Sequence, residues 1–329
     1  MAPGAKINID LLLRIFYPNY KHGDDFMMKK MFLVLLFISL ACTANAQYKI
    51  AENGDLDIYY RVFGEGNPIL IIGGGPGDNS DRYLSLCELL SQHFQCILVD
   101  QRGSGKSMPA VVDSTTISIG LTLQDFEAVR KHLGFESWTV LGFSYGGLLA
   151  SLYAHNYPKP VSHLICLNSM GLSLGVFAHF SDNINSKLLP SDLELSEYWS
   201  DSVRVAQGPH HALVEQIRAM MPGYFYDRKK SLLVSEPMKD SDFSFEMGDW
   251  IWKDIIKSYS GISEKGSKFD KPVLILHGRQ DPLGESVPRF LDGYYKNSKL
   301  IFIKKCGHYS WIEQPGKIYS SLVEFLDGN

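Results

Sequence analysis

In the stretch VLGFSYGGLLA, Gly142-Phe143-Ser144-Tyr145-Gly146 has the form G-x-S-x-G, between an apolar run and a run of small and apolar residues. Such a turn from strand into helix pushes its central serine into the open. Glycines are needed two residues to either side, because side chains there would collide with the neighbouring strand and helix. A serine hydroxyl is a weak nucleophile and needs a base to take its proton, with a carboxylate fixing the tautomer of that base. After such an elbow the partners follow in the order acid, then histidine. LHGRQDPLG places Asp281 in the loop after the next-to-last strand run, and KKCGHYSW places His308 after the last one. Of ten histidines, His308 is the one in a glycine-flanked loop at a strand's end in the required order. His277 and His163 lie inside strand runs and are expected to be packed or hydrogen-bonded core groups. Asp270 competes with Asp281, but it precedes its strand and so belongs at the wrong edge of the sheet.

Charge developing on a substrate oxygen calls for two backbone N–H donors, each worth roughly 3–4 kcal/mol. IIGGGPGD supplies a loop in which Gly73, Gly74 and Gly75 let the backbone approach a substrate and Pro76 stiffens the turn. The N–H of Gly75 is the expected first donor, and that of Tyr145 the second. Nucleophile, base and donors all come from the chain, so this chemistry is expected to need no metal or organic cofactor.

A different chemistry is suggested by LVDQRGSGKSMPA, whose Gly105-Lys106-Ser107 ends as a phosphate-binding loop does. That pattern wants glycine where Asp100 stands and a helix where Pro109 stands. A carboxylate facing phosphate oxygens is repulsive, so neither nucleotide nor nucleic acid is an expected partner.

These groups need elements to position them. After YKIAENGDLDIYYRVFG, which reads as two strands around Asn53-Gly54, strand runs alternate with helical ones. The runs at 68–74, 96–101, 138–143, 161–168, 272–278 and 299–304 are mostly continuous and apolar, as in a mainly parallel sheet covered on both faces. Helices are expected near 81–92, 122–133, 146–156, 286–296 and 315–326. About a hundred residues, 171–270, separate two strands where a simple crossover needs far fewer, which predicts an inserted cap. It holds Trp199, Trp250 and Trp252, with Tyr224, Phe225 and Tyr226 close by, as core of the cap or as substrate contacts.

The first 46 residues differ from the rest. Met28-Lys29-Lys30, the run MFLVLLFISLAC and Ala44-Asn45-Ala46 read as a signal peptide, with Gln47 the expected mature start and Met27 or Met28 the expected initiator. Cys42 offers a lipoprotein alternative, a membrane-tethered form in place of an exported, periplasmic or secreted one. Removing five basic and three acidic residues takes the net charge from −4 to −6, a poor balance for binding nucleic acid. Cys87, Cys96, Cys166 and Cys306 remain; their spacing shows no framework, and buried thiols are expected.

Taken together, the GGGPG loop, DQRGSGKS, GFSYGG, GRQD and GH resemble the proline iminopeptidase branch of the α/β-hydrolase superfamily, over roughly Tyr48 to Leu326. Gly73 stands where that branch has histidine, and Tyr145 where it often has tryptophan. The resemblance implies an α/β-hydrolase fold, an eight-stranded, mainly parallel sheet with helices on both faces and a helical cap. The core is then 47–170 and 271–329, and the cap 171–270. It also implies a serine hydrolase that removes an N-terminal residue, proline by preference, from short peptides. Arg102 is then a brace for neighbouring loops. Iminopeptidases bind the substrate's free amine through cap carboxylates, for which Glu194, Glu197, Glu215 and Glu246 are the candidates. An esterase or lactonase could use the same triad on a small non-peptide ester. A binding protein on this fold would be expected to have lost a triad member, and all three are present.

Overall fold

Eight of the apolar runs become strands of one sheet: β1 (Lys49–Asn53), β2 (Leu56–Phe63), β3 (Pro68–Ile72), β4 (Gln95–Val99), β5 (Trp138–Phe143), β6 (Val161–Leu167), β7 (Val273–Gly278) and β8 (Ser298–Ile303). The structure is a computed structural model, and it describes residues 46–258 and 267–328. The strand order is β1-β2-β4-β3-β5-β6-β7-β8. β1 and β2 form an antiparallel hairpin that turns at Gly54, β2 is antiparallel to β4, and every later pairing is parallel. The order reverses between β3 and β5, so the loops leaving their carboxyl ends part there and open a crevice. Those are the loop carrying Gly73–Gly75 and the turn carrying Ser144.

Alternation along each strand divides the core in two. Leu70, Ile72, Val140, Cys166 and Ile275 face one side, with α2 (Ile119–His132), α3 (Tyr145–Asn156) and later α10 (Ser286–Tyr294). Ile69, Ile71, Leu141, Ile165 and Leu276 face the other, with α1 (Leu84–Leu90) and later α12 (Pro315–Asp327). A sheet covered on both faces is why β5 and β7 are buried at every residue.

Between β6 and β7 lie the short helices α4 (Phe180–Asn185), α5 (Pro190–Ser200), α6 (Ser202–Gln207), α7 (Pro209–Met220) and α8 (Leu232–Ser235), then the longer α9 (Phe245–Ser258). α9 buries Met247, Ile251 and Ile255 in the first core cluster, and the Asp254 carboxylate accepts the Ile119 N–H at 2.9 Å. The helix α11 (Ser310–Glu313) follows β8. The insertion joins the loop after β3 directly: Asp78 and Phe243 form an antiparallel bridge, Asn79 N–H donates to Asp242 O, and Ser244 N–H to Gly77 O. Gly77 has φ +91°, and a Cβ there would lie 2.1 Å from Ser244 O.

DQRGSGKS has a structural job. Its loop folds around the protein's own Asp100, whose carboxylate accepts the Lys106 N–H at 2.8 Å and the Ser80 hydroxyl. Arg102 forms a buried two-pronged pair with Asp125 and donates to Thr116 O at 2.8 Å. The brace expected of Arg102 is therefore where the sequence places it. The thiols of Cys87, Cys96, Cys166 and Cys306 are all buried and unpaired. The expected export leader, its Cys42 alternative and the start at Met27 or Met28 lie outside the described residues.

Candidate active site

Ser144 closes β5 and opens α3 with φ +55° and ψ −119°, in the left-handed half of backbone space that a side-chain-bearing residue occupies only under constraint. The constraint is packing. A Cβ at Gly142 would lie 2.1 Å from Gly146 O, and one at Gly146 would lie 2.3 Å from Ile72 O. A Cβ at Gly74 would stand 2.9 Å from the Ser144 Cβ, so the loop after β3 runs against the nucleophile.

His308 lies in the loop between β8 and α11, and its Nδ1 is 2.9 Å from Asp281 Oδ2. That contact leaves Nε2 for the cavity. The Asp281 carboxylate also accepts the Leu283 N–H at 2.9 Å on Oδ1 and the Asn168 amide at 2.7 Å on Oδ2. Burial alone would raise its pKa, but the charges of His308 and His277, with the His308 and Leu283 hydrogen bonds, outweigh this and hold the carboxyl well below the usual range. Asp281 is thus ionised wherever His308 can act as a base. Asp270 precedes β7 and is exposed, at the opposite edge, as its position predicts.

Ser144, Tyr145, Gly75 and His308 line one cavity of ≈ 350 Å³ under the insertion. Half of its lining residues are aromatic, including Phe143, Phe177, Phe180, Tyr224, Phe243 and Trp252. Of the cap aromatics singled out in sequence, Tyr224 and Trp252 face the cavity, whereas Trp250 donates to Val112 O at 3.1 Å and Tyr226 is exposed. The roof touches the base loop closely: His308 N–H donates to Tyr224 O at 2.7 Å, and a Cβ at Gly307 would lie 2.2 Å from that same oxygen.

The candidate cap acids lie away from this cavity. None of Glu194, Glu197, Glu215 and Glu246 lines this cavity: three are exposed, and Glu215 pairs with Arg218 at 3.1 Å. Glu194, Glu197 and Glu246 are left to water, which solvates a carboxylate at no cost, and Glu215 is half-buried against Arg218. The cavity carboxylate is instead Asp78, two residues past Pro76 in the loop after β3. It holds Arg82 Nε at 3.0 Å and the Tyr83 hydroxyl at 2.7 Å.

Sequence reasoning also missed what supports Asp281. The Asn168 amide that reaches the carboxylate donates to Gly307 O at 3.2 Å as well, and its own oxygen accepts the Ser310 hydroxyl at 2.6 Å. Asn168 directly follows β6 with φ +44°, so an asparagine after a buried strand was the available signal. His277 is buried in β7 as expected, but it is more than packing, since its Nε2 stands 3.8 Å from Asp281 Oδ2. Burial lowers its pKa, against the opposing pull of the Asp281 carboxylate. Glu313 accepts the N–H groups of Gly307, Tyr226 and Asp227, tying the His308 loop to the roof.

Comparison with known proteins bears on the family and the fold. A proline iminopeptidase of Thermoplasma volcanium is 26% identical over 298 residues, covering 83% of this chain and 94% of that one. An alpha/beta hydrolase fold protein from Chitinophaga pinensis superposes with TM-score 0.66 at 19% identity, covering 87% of this chain and 99% of that one. An esterase from Exiguobacterium antarcticum does so with TM-score 0.58 at 19% identity, covering 85% and 100%. The family model described as alpha/beta hydrolase fold matches residues 67–315, and with three quarters of its length so matched, the chain belongs to the α/β-hydrolase family.

Proposed function

We propose that the chain is a serine peptidase that releases an N-terminal residue, proline by preference, from short peptides. The observation that carries the reading is the His308–Asp281 pair, sharing a roofed cavity with a serine held at φ +55°. In the first step Ser144 Oγ attacks the scissile carbonyl while His308 Nε2 takes its proton. The carbonyl oxygen becomes an alkoxide facing the N–H groups of Gly75 and Tyr145. Collapse of that intermediate breaks the C–N bond, and His308 returns the proton to the leaving amine. Water then attacks the acyl-serine by the same route in reverse, His308 again serving as base and then as acid. Asp281 holds the imidazole in the tautomer this requires.

Two observations support the peptidase over other acyl transfers. Relatives across most of the chain are proline iminopeptidases. The cavity, at ≈ 350 Å³, is near the lower end of ligand pockets and suits a small residue such as proline. Its wall, half of it aromatic, also suits a small apolar ester, so a carboxylesterase or lactonase is the second reading. The deciding experiment compares kcat/KM for prolyl-, alanyl- and N-acetylprolyl-naphthylamide with p-nitrophenyl butyrate on one preparation. Preference for the free prolyl amine is expected; butyrate as the best substrate, with no effect of the acetyl block, sinks the peptidase in favour of the esterase.

A further inference from the structure

An enzyme that cuts after the first residue must hold an ammonium close to the reacting carbonyl. Amine nitrogen and carbonyl carbon of one residue are about 2.5 Å apart. With a charge-assisted hydrogen bond of about 2.8 Å, the acceptor must lie within roughly 5 Å of that carbon. An acceptor on an outward helix face cannot meet that limit, whereas one lining the cavity on the loop beside Ser144 is placed to do so.

Asp78 meets it. Among the residues lining the cavity it is the one carboxylate, and its side chain keeps 12% of its exposure. Oδ2 is occupied by Arg82 and Tyr83, while Oδ1 accepts no hydrogen bond from the described residues. Oδ1 stands over Gly75, where a Cβ would lie 2.3 Å from it, and Gly75 is the proposed oxyanion donor. Phase and position are fixed by the backbone: Asp78 N–H donates to Gly75 O at 2.9 Å, and the bridge to Phe243 pins the residue to the roof. A carboxylate has about four acceptor positions, so holding Arg82 and Tyr83 on one oxygen leaves the other able to take a cation. The Arg82 guanidinium lies over the Phe243 ring at 4.6 Å, an attraction that helps hold it in place on Oδ2.

We propose that Asp78 is the specificity-determining residue of this site, its Oδ1 accepting the substrate's N-terminal ammonium. The inference rests on the peptidase reading above. It also explains why Asp78 is built into the loop after β3 rather than the roof: the ammonium and the alkoxide are then positioned by one rigid turn, four residues long.

The test measures kcat/KM for prolyl-naphthylamide, N-acetylprolyl-naphthylamide and p-nitrophenyl butyrate in the full chain and in Asp78→Asn. The expected result is that the free-amine substrate loses at least tenfold more than butyrate does, so that its advantage over the acetylated substrate collapses. Loss of all three activities in proportion makes Asp78 a brace for Arg82 and Tyr83 and overturns the assignment. A free-amine preference that survives in Asp78→Asn overturns it too, while leaving the peptidase standing. A wild-type enzyme with no such preference overturns both. Should Asp78→Asn not fold, Asp78→Glu keeps the charge facing Arg82 and moves it by one methylene. The free-amine advantage is then expected to fall severalfold, and an unchanged advantage counts against the assignment.

Discussion

At the scale of single residues the proposed chemistry depends on groups that fail together. Ser144→Ala and His308→Ala are each expected to lower kcat by about 10⁵–10⁶-fold, the double variant hardly further, because either loss removes the same activated alkoxide. A fluorophosphonate should label Ser144, and an adduct mapped to another serine, or turnover surviving in Ser144→Ala, contradicts the assignment. Asp281→Asn should cost about 10⁴-fold by releasing the tautomer of His308. Asp281 also makes a prediction for stability. Its folded-state pKa lies below the unfolded value, so the fold gains stability above the ordinary carboxylate range and loses it as pH falls from about 5 towards the folded value. Melting temperatures of wild type and Asp281→Asn should therefore differ most near neutrality and converge on acidification. A difference independent of pH would show that the asparagine acts through packing instead.

At the scale of elements, three loops must arrive together: the turn after β3, the elbow after β5 and the loop after β8. Asn168, at the end of β6, links the last of these to the acid loop after β7, because its amide spans Asp281 and Gly307 O. Asn168→Ala leaves a buried carboxylate one donor short and should cost about 1–3 kcal/mol of stability. Its effect on turnover should fall on kcat, by about tenfold, with KM little changed; a change confined to KM would place Asn168 in substrate binding. Gly77 is the corresponding element on the roof side. Its positive φ and the 2.1 Å approach to Ser244 O leave no room for a methyl group. Gly77→Ala should destabilise by about 1–3 kcal/mol and lower activity by shifting the turn that holds Gly75. Wild-type melting and wild-type kcat/KM in that variant would mean that the bridge to the roof is dispensable.

At the scale of the whole molecule, the sheet begins at Lys49 and the described residues from Gln47 onward form one compact unit with their own core. A chain starting at Gln47 should therefore fold and keep the kcat/KM of the longer chain. We further propose that this is the exported mature form, which the N-terminal mass of the secreted protein checks; a diacylated Cys42 would make it membrane-tethered instead. Dialysis against EDTA should leave kcat/KM unaltered, because nucleophile, base and donors are all supplied by the chain. Loss of activity restored by a divalent ion would contradict a pure serine mechanism.

Local sequence determined the strands, the elbow and the order of its partners. Each is a short-range demand: a strand buried on both faces must be apolar throughout, and a turn that forces Ser144 to φ +55° must have glycine on either side. Asp281 over Asp270 was legible for the same reason, since the carboxyl ends of the strands all lie at one edge. The carboxylate of the cavity was not. Glu194, Glu197, Glu215 and Glu246 and Asp78 are all ordinary acids in sequence, and nothing within a few residues of any of them tells which one turns inward. Contacts far apart in the chain decide it: Asp78 is drawn into the crevice by its bridge to Phe243, 165 positions later, whereas Glu194, Glu197 and Glu246 stay exposed and Glu215 pairs with Arg218. Asn168 belongs to the same class, since its partners at 281, 307 and 310 meet it only once β6, β7 and β8 lie side by side. The tertiary structure therefore decided the second layer of the site, because a buried hydrogen bond between distant residues exists only after the sheet has brought them together.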